Sequence, residues 1–70
     1  MIIMYKLNNK MSYIKKNNIY AIYINYNLYF LKNESANLFA KIILNEFDKV
    51  PKSFIDFLLN KGILRKVESI

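Results

Sequence analysis

Cysteine and histidine are absent from this 70-residue chain, and glycine and proline occur once each. Without cysteine no disulfide staples the fold, and without either residue there is no ordinary zinc site. The same absences remove the usual general base and the strongest nucleophile, and the single glycine, Gly62, cannot build a phosphate-cradling loop. Five carboxylates remain, but Glu46 and Asp48 stand at i, i+2, where helical side chains do not face each other. Helix solubility accounts for every acid, so the chain reads as a non-enzyme with no cofactor.

Long apolar runs are missing too. The most apolar uncharged stretch, Ile19 to Leu31, has 13 residues and is broken by Asn25 and Asn27, against about 20 for a spanning helix. Met1 to Tyr5 is apolar but lacks the basic start and small-residue cleavage site of a signal peptide. The expectation is a cytoplasmic protein with no membrane partner, which the lack of cysteine also fits. Acids are scarce throughout: eleven Lys and Arg outweigh five Asp and Glu, for a net charge of +6. All five acids follow Asn33, so residues 1–33 carry +5 and residues 34–70 only +1. That basic half is either a solvated surface or the seat of an acidic partner.

What is abundant is apolar surface. Hydrophobic residues make up 54% of the chain, yet a domain this small buries only about 60% of its unfolded surface. Some of that surplus is expected to be shared with another chain, and a homodimer is compatible with it. Ile, Lys, Asn, Tyr and Phe dominate; these are residues of AT-rich codons, so part of the aromatic wealth reflects coding bias.

The pattern centres on Leu28 to Phe47, a strand (Leu28 to Lys32) that runs straight into a helix. Ala36, Phe39, Ala40, Ile43, Leu44 and Phe47 recur at helical spacing, with Asn37, Lys41, Asn45 and Asp48 opposite. Asn33 is expected to cap the helix with its side-chain oxygen, and Glu34 suits the positive end of the helix dipole. Upstream, Met4 to Leu7, Ser12 to Lys16 and Ile19 to Tyr26 read as strands. Asn17-Asn18 and Asn25 to Asn27 mark tight turns, because Asn tolerates positive φ. Ile22 and Ile24 share one face of the third strand and Ala21 and Tyr23 the other. Downstream, Pro51 suits the first turn of a second helix, Ser53 and Asp56 have capping-box spacing, and Gly62 ends the helix in the left-handed conformation. The tail to Ile70 is compatible with a short strand. The predicted fold is a single α+β domain, residues 1–70, with a three- to four-stranded antiparallel meander followed by two helices, or three, in a winged-helix-like order.

Leu28 to Lys32 leads into a helix, so it is expected at a sheet edge, where unpaired amides and carbonyls accept an incoming extended peptide. Neither proline nor an internal charge blocks it. Tyr20, Tyr23, Tyr26, Tyr29 and Phe30 form either a stacking platform for single-stranded nucleic acid or ordinary cross-strand pairs, the commoner arrangement.

At YFLKNESANLF, Tyr29 to Phe39, the chain resembles the RiPP recognition element, the pyrroloquinoline quinone biosynthesis chaperone D family. Tyr29, Leu31, Ala36 and Phe39 fill the family's positions, with Lys32 where Asn is frequent. FIDFLLNKGIL, Phe54 to Leu64, resembles the family's last helix through Leu58, Gly62, Ile63 and Leu64. The similarity spans roughly Ser12 to Leu64. The family has three helices after its strands, and here only Asp48 to Pro51 separates two. The resemblance implies an adapter that binds the leader segment of a ribosomally made precursor peptide as an added strand. The adapter then presents that precursor to a maturation enzyme, often a radical S-adenosylmethionine enzyme. On this reading Leu28, Tyr29, Phe30, Leu31 and Lys32 supply the edge, and Lys52, Ile55 and Leu59 line the helix wall. Lys32 and Lys52 would pair acidic leader residues, and Leu31→Pro would remove an edge amide. Ile55 and Leu59 read equally well as core. The alternative is a small winged-helix DNA-binding protein. Its last helix would offer Lys52, Ser53, Asn60 and Lys61 to a groove, but with Asp56 set among them against the phosphates.

Overall fold

A computed structural model describes residues 2–69, with side chains over residues 4–67. Two antiparallel sheets and two helices make an α+β fold. Strands β2 (Ser12–Lys16), β3 (Ile19–Ile24) and β4 (Asn27–Lys32) form a meander in the order β2-β3-β4. Both of its turns have two residues at positive φ: Asn17 and Asn18 at 51° and 60°, Asn25 and Tyr26 at 52° and 64°. Such turns match the right-handed twist of their strands, and Asn accepts the left-handed conformation because its short polar side chain bonds locally.

The first strand, β1 (Ile2–Leu7), does not join the meander. It pairs along its whole length with β5 (Leu64–Ser69), from Ile2 opposite Ser69 to Leu7 opposite Leu64. Of the three or four strands expected in the meander, three form it, and β1 joins β5 in a separate two-stranded ribbon. Asn8 anchors this ribbon. Its amide donates to the Ile63 carbonyl at 2.9 Å, its Nδ2 donates to the Gly62 carbonyl at 2.9 Å, and its Oδ1 accepts from the Lys10 amide.

Helix α1 (Glu34–Ile43) starts one residue after β4. Asn33 holds the N-cap position, but its side chain makes no capping bond. The abrupt reversal puts it at φ 58°, ψ −128°, a conformation few residues besides Gly adopt, and only its carbonyl engages the helix, accepting from the Asn37 amide at 3.2 Å. Of the predicted stripe, Ala36 and Phe39 are buried and Ala40 and Ile43 are half-buried against the core, and Ile42 joins the buried line. Leu44 is exposed and Phe47 lies beyond the helix end. The reason is Asn45, which the periodicity places on a polar face. At φ 61° it instead ends the helix, its amide donating to Ile42 and the Glu46 amide to Lys41.

The connector contains one 3₁₀ turn, Phe47–Lys49, where a middle helix was in question. Helix α2 (Lys52–Asn60) follows, with Pro51 extended at the N-cap rather than inside the first turn. Ser53 makes no capping bond; Asp56 pairs with Lys52 at 3.5 Å instead. Gly62, at φ 79°, closes α2 as expected: its amide donates to Leu59 and that of buried Ile63 to Leu58. The core is Tyr20, Ile22 and Ile24 of β3 and Leu31 of β4, covered by Phe39 and Ile42 of α1, Ile55 and Leu58 of α2, and Ile63 and Leu64. Phe39 sits edge-on to Tyr20, with centroids 5.0 Å apart, and to Tyr13 at 5.6 Å, an arrangement aromatic rings favour.

Candidate functional site

Among the described residues β4 pairs with β3 alone, so its other side is open. Which groups face outward follows from the turn. With Asn25 and Tyr26 as the central pair, the Ile24 carbonyl and the Asn27 amide close the turn. Antiparallel ladders then alternate. Asn27, Tyr29 and Leu31 spend their amides and carbonyls on β3, opposite Ile24, Ile22 and Tyr20. Leu28, Phe30 and Lys32 point theirs away from the sheet. No charged side chain stands on β4 before Lys32, its last residue. The opposite edge, β2, carries Lys15 and Lys16, and lysine is a common device for discouraging strand addition.

This geometry divides the five residues expected to form the edge. Leu28, Phe30 and Lys32 are exposed and carry the outward main-chain groups. Tyr29 is half-buried and turned toward the helices, and Leu31 is core. Leu31→Pro is therefore corrected as an edge test, because its amide belongs to the pairing with Tyr20, so proline there breaks the ladder and the core together. Phe30→Pro removes an outward amide and leaves the ladder bonds in place.

The helix wall also differs from the expectation. Ile55 is buried in the core and Leu59 is half-buried against it. Ile55 is thus unavailable as a contact for an incoming chain, since α2 turns that face to the sheet. Lys52 is exposed at the start of α2 and ion-paired to Asp56. The opposite end of α2 is the one that reaches β4. There Lys61 Nζ lies 5.7 Å from the Tyr29 ring centroid and 6.0 Å from that of Phe57. Phe57 in turn stacks on Phe54 at 6.1 Å. Lys61 and Phe57 are absent from the expected peptide site, Lys61 entering the expectation only as a groove residue of the DNA-binding alternative. Their i, i+4 spacing places them on one face, and no local pattern tells that this face meets β4.

The tyrosines do not assemble into a platform. Tyr20 is buried, Tyr29 faces the helices, Tyr26 stands 94% exposed at the tip of a turn, and Tyr23 and Phe30 lie on the far side of the sheet. Among the described residues no helix is long and apolar enough to cross a membrane. The chain matches no family model, no curated protein and no solved structure.

Proposed function

We propose that this chain is a non-catalytic, cytoplasmic adapter. It binds the leader segment of a ribosomally synthesised precursor peptide by strand addition to β4 and presents it to a maturation enzyme. The observation that carries this reading is the open edge of β4, uncharged up to its last residue, with outward amides and carbonyls at Leu28, Phe30 and Lys32. Main-chain bonds of this kind give affinity without a specific side chain, and neighbouring pockets select the sequence. Lys32 at the end of the edge and Lys61 beside Tyr29 favour an acidic leader. The resemblance at Tyr29 to Phe39 and Phe54 to Leu64 supplies the class of partner. A radical S-adenosylmethionine enzyme is one candidate for the protein served.

Affinity capture of the tagged chain from its native cytosol tests this, with peptides, proteins and nucleic acid all identified. A short acidic peptide recovered together with a modifying enzyme supports the adapter. The recovered peptide, resynthesised, should lose at least tenfold in affinity for Phe30→Pro and much less for Phe30→Ala, which keeps the amide. Equal binding by the two variants removes strand addition from the proposal.

A DNA-binding reading has one observation in its favour. The β1–β5 ribbon sets Lys6 opposite Arg65 on one face and Lys66 opposite Tyr5 on the other, a two-stranded element with basic residues on both faces, of a kind that can enter a groove. Salt-sensitive recovery of DNA without peptide would select it.

A further inference from the structure

The side of the β2-β3-β4 sheet turned away from the helices is apolar, and among the described residues nothing covers it. Register arranges its side chains in three rows: Ser12, Tyr23 and Leu28; Ile14, Ala21 and Phe30; Lys16, Ile19 and Lys32. Ile14 is 71% exposed, Phe30 59% and Leu28 56%. The small Ala21 lies at the centre, and shallow hollows of about 220 and 290 Å³ open beside it, both bordered by Ile14. Strands about 4.8 Å apart, rising about 3.3 Å per residue, make the face roughly 15 Å by 17 Å. That is the footprint of one short α-helix, about 10 Å across. Charge is equally one-sided. Lys16 and Lys32 close one end of the face, and no carboxylate stands on any of the three strands.

We propose that this outer face docks an amphipathic helix of another protein. Its apolar stripe would lie over Ala21 between Ile14 and Phe30, and its carboxylates would meet Lys16 and Lys32. The proposal stands on the face and not on the open edge of β4; Lys32 borders both, whereas Ile14, Lys16 and Ala21 belong to the face alone. A second copy of the chain fits less well, because it brings another uniformly basic sheet, with Lys16 and Lys32 facing lysines of the same sign. A bilayer would accept the apolar side chains, but it would also meet the unpaired main-chain groups of both sheet edges, which hydrocarbon does not tolerate.

The test titrates the ¹⁵N-labelled full chain with a designed 18-residue helix bearing leucine on one face and glutamate on its flanks. A twin peptide has lysine in place of glutamate. Binding should shift the outward residues of β2 and β3 first, and the lysine twin should bind at least fivefold more weakly. Ile14→Asp should cost at least tenfold while leaving the β4 edge intact, so loss here and loss of strand addition are separable. The Lys16→Glu, Lys32→Glu double variant should reverse the preference between the peptides, a result that mere misfolding cannot give. Equal affinity for the two peptides, or shifts confined to other surfaces, overturns the proposal. So does a dimer in sedimentation that Ile14→Asp dissociates, or binding to phosphatidylglycerol vesicles without binding to the peptide.

Discussion

The two faces of the three-stranded sheet carry similar side chains and meet opposite fates. Toward the helices stand Tyr20, Ile22, Ile24 and Leu31, all buried; on the other side stand Ile14, Ile19, Tyr23, Leu28 and Phe30, all exposed. A half-buried sheet usually alternates apolar and polar residues, whereas strands apolar on both sides belong to sheets covered twice. The composition of β3 and β4 is thus that of a middle layer, and this chain provides one cover. Fully burying a large apolar side chain is worth about 1.5–3 kcal/mol. The exposed face therefore holds back several kcal/mol that a partner can realise, while the core must stabilise a small domain on half of its sheet.

Four substitutions sharpen the comparison. The largest effect should come from Ile22→Ala, in the centre of the covered face, which is expected to cost about 2–5 kcal/mol in urea unfolding. A cost under about 1 kcal/mol there would mean that the helices do not pack on this face. Next, Gly62→Ala tests the turn that lets buried Ile63 fold back under the sheet. An added Cβ would meet Asn25 and Ile24 only at 3.6 and 3.8 Å, which is ordinary contact. The penalty is then that of the left-handed backbone alone, about 1–2 kcal/mol. Asn33→Gly acts in the other direction. It relieves the backbone at the corner from which α1 descends on the covered face, and thermal unfolding should show a gain of about 1 kcal/mol. The smallest effect belongs to Ile14→Ala on the uncovered face, within about 0.5 kcal/mol for the isolated chain. A large loss there would mean that the face is already covered in solution.

Much of the architecture is legible in the sequence because local chemistry dictates it. β-Branched and aromatic residues mark β3, paired Asn residues mark a turn, and Gly62 marks a helix end. What is not legible is what depends on distant partners. The destination of β1 is set by β5, and periodicity within Met4 to Leu7 says nothing of a strand at the other end of the chain. Where α1 ends turned on Asn45, since an asparagine midway through an apolar pattern reads as a surface residue until its φ is known. For the candidate site, the open edge of β4 follows from its place before α1. Which of its residues face outward depends on the ladder counted back from the Asn25–Tyr26 turn, and this shifts the informative position from Leu31 to Phe30. Which end of α2 approaches β4 is a matter of tertiary packing, so Lys61 could not be distinguished from Lys52 in advance.

The β1–β5 ribbon has a consequence for the order of assembly. Both hairpins of the meander, and the step from β4 into α1, join neighbours in the chain, so they can form early and cheaply. Leu7 pairs with Leu64 across the whole meander and both helices, and closing so long a loop costs entropy that contacts within it must repay first. The ribbon should be the last element to close and the first to exchange its amides with solvent. Because β1 and β5 are held to each other by one ladder, a force applied to either strand acts on both, and pulling on one should unzip the molecule from the ribbon inward.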